Sequence, residues 1–172
     1  MPGNRDSHSS SHGGTLEPEW LHGHAHEPNP DPPTEDSTFA LSFNGHAKWL
    51  VYLDDLNRLP QTQVPDCYIV STGHGASGPH TFAGVRLADL LLEYLPDGMA
   101  WKHVDVLSAD GFGNRVFAKE VENESGDRPI LLATKRDGKP ITRGEGLVRM
   151  IVPSETDDAL RQVKWIEHLE VR

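Results

Sequence analysis

Thr81-Phe-Ala-Gly84-Val-Arg-Leu87-Ala-Asp-Leu90-Leu91, continued by Leu92-Glu-Tyr94-Leu-Pro96-Asp-Gly98, is the stretch on which the reading of this chain turns. Leu87, Leu90, Leu91 and Tyr94 recur at helical spacing and mark one face of an amphipathic helix that stops before Pro96. Upstream, Cys67-Tyr-Ile-Val-Ser71 predicts a buried strand running into a glycine-rich connecting loop, Gly73-His-Gly-Ala-Ser-Gly78. Downstream, His103-Val-Asp-Val-Leu107 predicts a strand that turns at Asp110-Gly111, with a short strand at Arg115-Val-Phe117.

The outer segments extend the pattern. Phe39-Ala-Leu41-Ser-Phe43 alternates with period two and ends at the turn signal Asn44-Gly45. Trp49–Leu53 reads as a strand. Leu53, Leu56 and Leu59 define a short helix stopped by Pro60. Ile130–Thr134 predicts a strand, Asp137-Gly138 a hairpin, Leu147–Val152 a strand ended by Pro153, and Val163–Val171 the last strand. Many short strands and two helices, without βαβ regularity and without an internal repeat, predict an α+β fold with a mixed sheet.

The chain has 172 residues, and only 36% of them are apolar. The shortfall is local. Residues 1–37 hold six of the 13 Pro, five of the 10 His, and one Arg against seven acids. That segment therefore carries −6 of the net −10 charge, leaving −4 for the other 135 residues. Two units follow: a disordered His/Pro-rich acidic tail over 1–37 and one domain over 38–172. The acidic balance speaks against nucleic acid or an anionic membrane surface as main partner. A single cysteine, Cys67, excludes an internal disulfide and a thiolate zinc cluster. No apolar run reaches the roughly 20 residues that span a bilayer. No secretory signal is visible, so the expected location is cytoplasmic, or periplasmic if a leader has been removed.

Several residues are candidates for chemistry. His22, His24 and His26 alternate, so an extended chain would turn three imidazoles to one side, a possible Ni²⁺, Cu²⁺ or Zn²⁺ site or simply a solvated tail. The loop after strand 67–71 lacks the spacing of a dinucleotide or P-loop motif. It still gathers Ser71, Thr72, Gly73, His74, Gly75 and His80, donors for an anionic ligand if they are not merely structural. Cys67, inside an apolar strand, reads as a small hydrophobe. Lys135-Arg136-Asp-Gly-Lys139 reads as a solvated hairpin tip, and Arg161 and Lys164 as surface charge or an anion clamp.

The order of these pieces resembles the molybdopterin-binding domain of the sulfite oxidase-like oxidoreductases, over Ser37–Val171. Thr81–Leu91 is similar to the family's tryptophan-x-glycine-v-x-leucine segment, with Phe82 for the tryptophan. Ser108-Ala-Asp-Gly-Phe112, Lys139-Pro140, Arg149-Met-Ile-Val-Pro153 and Arg161-Gln-Val-Lys164-Trp165-Ile166 resemble later family motifs. The resemblance implies a sulfite oxidase-like fold binding a pterin with a phosphate or nucleotide tail. Arg161 and Lys164 would lie at the phosphate, and the loop 71–75 beside the metal.

The departures are specific. The family's molybdenum-ligating cysteine is read onto Val70, three residues before Gly73. Cys67 lies about 10 Å up the strand from there. The family's loop tryptophan is His74, and its tyrosine loop is Ser154-Glu-Thr-Asp-Asp158. Three readings stay open: a degenerate domain that binds a pterin or another small anion without molybdenum chemistry; an active molybdenum oxidoreductase with Ser71 or His74 as altered ligand and an electron-transfer partner; and a metal- or partner-binding protein acting through the His-rich tail.

Overall fold

Phe39–Phe43 forms strand β1 with Phe39, Leu41 and Phe43 buried, as its alternation requires. It pairs antiparallel with β2 (Ala47–Val51) and parallel with the C-terminal strand β11 (Ile166–Val171). β11 continues through β5 (His103–Ser108) to β6 (Gly113–Phe117), giving a five-stranded sheet in the order β2-β1-β11-β5-β6. The computed structural model describes residues 31–71, 75–123, 126–155 and 161–172.

A second sheet runs β10-β9-β7-β4-β3, with the short β8 on β7. Its strands are β3 (Gln61–Ser71), β4 (Gly75–Arg86), β7 (Leu131–Arg136), β8 (Lys139–Pro140), β9 (Arg149–Ile151) and β10 (Gln162–Val163). The glycine-rich segment expected to be a connecting loop is instead largely strand, because Gly75–Gly78 opens β4 and pairs with the end of β3. The backbone tolerates this through register shifts near Cys67 and a positive φ at Gly78. Gly84 is needed where β4 meets β7: a β-carbon there would lie 2.1 Å from the Leu132 carbonyl oxygen.

Helix α2 (Leu87–Tyr94) buries Leu87, Leu90 and Leu91, and leaves Leu92 exposed, as its periodicity predicts. Helix α1 (Leu53–Arg58) buries Leu56, and α3 (Ala118–Val121) is a single turn. The main core lies between the two sheets and α2, with Leu41, Val106 and Leu169 facing Val85, Leu132 and Met150. The opposite face of the second sheet forms a smaller cluster of Val64, Cys67, Ile69, Phe82, Leu131, Ala133, Ile141 and Ile151. Before β1, the Arg143 guanidinium donates to the carbonyls of Pro32 (3.1 Å) and Thr34 (3.3 Å), so residues 32–34 lie along the fold. Among the described residues no helix is long and apolar enough to cross a membrane.

Candidate functional site

Strand alternation decides where β9 sends its side chains. Met150 enters the main core, so Arg149 and Ile151 face the smaller cluster. Arg149 is 2% exposed, with its Cζ 5.4 Å from the centre of the Phe82 ring. It donates through Nη2 to Gln162 Oε1. Its Nε is buried without a partner among the described residues, and no described carboxylate pairs with it.

Two turns bring Lys164 beside it. A 3₁₀ turn over Arg143–Glu145 ends at Gly146, whose φ of +116° is left-handed, and Leu147 follows at +59°. A β-carbon on Gly146 would lie 2.8 Å from Lys164 Cβ and 3.1 Å from Arg149 Cγ, so both cationic stems run against this glycine. Trp165, at φ +47°, fixes the second turn: its N–H donates to the Gly146 carbonyl (2.9 Å) and its Nε1–H to the Arg143 carbonyl (2.7 Å). The Ala109 N–H donates to the Trp165 carbonyl (2.8 Å), which adds the Ser108–Phe112 turn to the same assembly. Left-handed non-glycine residues cost on the order of 1–3 kcal/mol each, and they gather where a site over-determines the backbone.

The electrostatics are those of crowded cations. Burial, and then the like charge of Arg136, push the Arg149 pKa down to about 10. Burial, and then Arg149, push the Lys164 ammonium down as well. Glu145 is the main counter-charge. Burial would raise its pKa, but the Thr142 hydroxyl (2.8 Å) and the Arg136 ion pair (2.5 Å) hold it below the usual range. Arg136 is therefore part of this cluster, whereas its sequence reads as a solvated hairpin tip. Arg149, Arg136 and Glu145 are site residues that sequence pattern alone does not mark. The available signal was an arginine opening an otherwise apolar strand, Arg149-Met-Ile-Val.

The sequence candidates divide. Lys164 joins the cation cluster. Arg161 is held elsewhere: it pairs with Glu120 and Glu155, and donates to the Arg115 carbonyl at 3.0 Å. Its pKa is raised: burial alone would lower it, and the two carboxylates more than compensate. His80 is at β4, opposite Cys67, with Nδ1 2.8 Å from Asp137 Oδ2 and Nε2 3.2 Å from Ser77 Oγ. Ser71 ends β3 paired with Gly75. Thr72, Gly73 and His74 lie outside the described residues, as do His22, His24 and His26. Among the described residues no group of three or more His, Cys, Asp or Glu is disposed to hold a metal.

Cys67 is fully buried, with Sγ 3.6 Å from the Val64 and Pro65 carbonyl oxygens and from Arg128 Nη2. Burial pushes its thiol pKa up, against the smaller opposing pull of Arg128.

Comparison with known proteins agrees with this architecture. Residues 26–172 match the family described as the oxidoreductase molybdopterin binding domain. The chain is 30% identical over 121 residues to mitochondrial sulfite oxidase of Drosophila melanogaster, across 66% of this chain and 20% of that protein. It superposes on the sulfane dehydrogenase SoxCD of Paracoccus pantotrophus with a TM-score of 0.60 and 19% identity, across 78% of this chain and 37% of that one, a likeness of fold. This chain thus spans 20% and 37% of the length of these two relatives, and it belongs to the oxidoreductase molybdopterin-binding domain family.

Proposed function

We propose that this domain binds an anion of the molybdopterin type by its phosphate end and does not carry out thiolate-supported molybdenum chemistry. The observation that carries the reading is the state of the sole cysteine. A metal-ligating thiol must be reachable and readily deprotonated. Cys67 is neither, being enclosed in the smaller core with its pKa raised. Whichever of Val70 and Ser71 takes the family's ligand position, neither offers a thiolate.

The cofactor implied by the family fits this chain at one end only. Arg149 and Lys164, with Arg136 beside them, form a cation set whose charge exceeds that of Glu145, and the buried Arg149 Nε is unmatched among the described residues. A phosphate or pyrophosphate supplies the acceptors such donors require, through charge-assisted hydrogen bonds. Arg161, already neutralised by Glu120 and Glu155, takes no part. At the metal end the sulfur donor does not fit, and this reading requires no electron-transfer partner.

The test is the composition of the full chain purified from a molybdenum-replete host. Pterin is measured by fluorescence after oxidation, and molybdenum by elemental analysis. Bound pterin that is lost in Lys164→Ala, without sulfite turnover in the wild type, is the expected result. Stoichiometric molybdenum with turnover would overturn it and promote Ser71 or His74 as ligand. Absence of pterin would remove that ligand class from the site.

A further inference from the structure

Where β4 runs past the end of β7 in the second sheet, next to Arg136 of the cation cluster, three side chains stand in the relation of nucleophile, base and orienting acid. We propose that Ser77, His80 and Asp137 form a serine hydrolase-like triad that cleaves short carboxylic esters.

The arrangement follows from the local backbone. Cys67 pairs with His80, and Ile69 with Ser77, so β3 advances two residues where β4 advances three. The extra residue in the Gly78-Pro79 step is a bulge. Residues three apart on a regular strand face opposite sides; across this bulge Ser77 and His80 share one. Gly78 makes the bulge possible: at its φ of +137°, a β-carbon would lie 2.8 Å from the Cys67 carbonyl oxygen. Asp137 comes from the β7–β8 hairpin. That hairpin is a two-residue turn with positive φ at Asp137 and Gly138 (51° and 80°), the type I′ geometry that matches strand twist. The turn is locked to β4 twice, by Thr81 N–H to Asp137 Oδ1 (2.8 Å) and by Asp137 N–H to the Thr81 carbonyl (2.8 Å).

The roles are set by which nitrogen meets which partner. Asp137 Oδ2 lies 2.8 Å from His80 Nδ1, and a carboxylate only accepts, so Nδ1 carries the proton. Neutral His80 then has its lone pair on Nε2, 3.2 Å from Ser77 Oγ, where it accepts the hydroxyl proton. The base is oriented on one nitrogen and faces the nucleophile with the other, as a triad demands. Ser77 is exposed, and His80 retains 18% side-chain exposure. Tyr68, 52% exposed, lies against Gly78 and offers an apolar wall to a short acyl or aryl group.

In the reaction, Ser77 Oγ bonds to the ester carbonyl carbon while its proton passes to His80 Nε2. The C–O bond to the alcohol breaks and the alcohol leaves with that proton. Water then attacks the acyl-serine while His80 takes its proton; the acyl C–Oγ bond breaks, His80 returns the proton to Ser77 Oγ, and the carboxylic acid is released. Gly78 supplies the amide that directly follows the nucleophile, and Pro79 supplies none. Each oxyanion donor is worth about 10²–10³ in rate, so slow turnover of activated esters is the expected scale.

The experiment uses the full chain with an alkyl fluorophosphonate, followed by intact mass and peptide mapping, and with 4-nitrophenyl acetate turnover. In the probe reaction the Oγ–P bond forms, the P–F bond breaks, fluoride leaves, and His80 takes the proton. One phosphonyl group mapped to Ser77 is expected, absent from Ser77→Ala and unchanged in Ser154→Ala. Ser77 and His80 act on the ester directly; Asp137 is a positioning residue. His80→Gln and Asp137→Asn should slow labelling by about 100-fold or more, the range of a general base. Asparagine tolerates left-handed backbone, so Asp137→Asn keeps the turn, and its melting midpoint confirms the fold independently of His80→Gln. No labelling of the wild type, labelling elsewhere, or equal labelling rates in a folded Asp137→Asn variant would overturn the triad.

Discussion

Replacing Arg149 with methionine should leave the ligand-free domain as stable as the wild type, or more stable, while removing its response to anions. Burial depresses the arginine's folded-state pKa below its unfolded value, so the charge costs stability at every pH below about 10 and is relieved only above it. The drop spans more than two decades of acidity, and at about 1.4 kcal/mol per decade it amounts to about 3 kcal/mol. Methionine gives up the Gln162 hydrogen bond, about 1 kcal/mol. It also loses the contact over Phe82, about 1–2 kcal/mol when desolvated. The balance runs from about zero to about 1 kcal/mol in favour of methionine, in line with buried charges replaced by apolar groups of similar size. For a chain of this length that corresponds to a melting midpoint between unchanged and roughly 4 °C higher. The assay is thermal unfolding of both proteins with and without inorganic pyrophosphate. The wild-type midpoint should climb with pyrophosphate by mass action, and that of the variant should not. A loss of more than about 3 kcal/mol in Arg149→Met, with a wild type indifferent to pyrophosphate, would make the guanidinium a compensated strut and refute the anion site.

Lys164→Ala should weaken pyrophosphate binding by about 1.5–3 kcal/mol. Because burial and Arg149 depress its pKa, wild-type affinity should fall with rising pH before an ordinary lysine titrates; calorimetry showing flat affinity up to that range would contradict this. Arg161→Ala should leave pyrophosphate affinity unchanged and cost about 1–2 kcal/mol of stability, a modest value because the ion pairs are partly exposed. Burial raises and Arg161 lowers the pKa of Glu120, with a net depression. The contribution of Glu120 is therefore present above the ordinary glutamate range and is lost as pH falls through its depressed value; acid unfolding should accordingly be less steep in Arg161→Ala. Limited proteolysis should not cut within residues 32–34, because Arg143 holds the carbonyls of Pro32 and Thr34; a core beginning at Phe39 would show that this contact does not protect the backbone.

Local signals carried much of the fold. Three leucines at helical spacing placed α2, the alternation of Phe39–Phe43 placed β1, and Asp137-Gly138 placed the β7–β8 hairpin. β4 was hidden because its first half is Gly75-Ala-Ser-Gly78-Pro79, a composition that reads as a breaker. What makes it a strand is pairing with β3, a tertiary circumstance. The site was less legible for a related reason. Arg149 and Arg161 both border short apolar stretches. Which of them is left for a ligand depends on Glu120 and Glu155 beside Arg161, and one of these is 41 residues away. His80 reads in the sequence as a ligand contact, yet its partner Asp137 is 57 residues on and meets it only through the turn.

The two ends of the family's site have separate physical requirements, and for that reason one can persist without the other. A thiolate ligand depends on a single sulfur placed at one depth in one strand; a valine or serine there removes it outright. An anion cradle depends on the sum of several charges and on the backbone that crowds them. Here that backbone includes Gly146, Leu147 and Trp165, all at positive φ, with Gly146 against the stems of both Lys164 and Arg149. Gly146→Ala therefore addresses the cradle without touching a charge. Its β-carbon would meet Lys164 Cβ at 2.8 Å, and the left-handed backbone would be strained as well. Pyrophosphate affinity should fall because Lys164 and Arg149 are pushed apart, although every cation remains. Should Gly146→Ala fold and bind pyrophosphate as the wild type does, the crowding of these two stems would be incidental, and the site would reduce to diffuse positive charge.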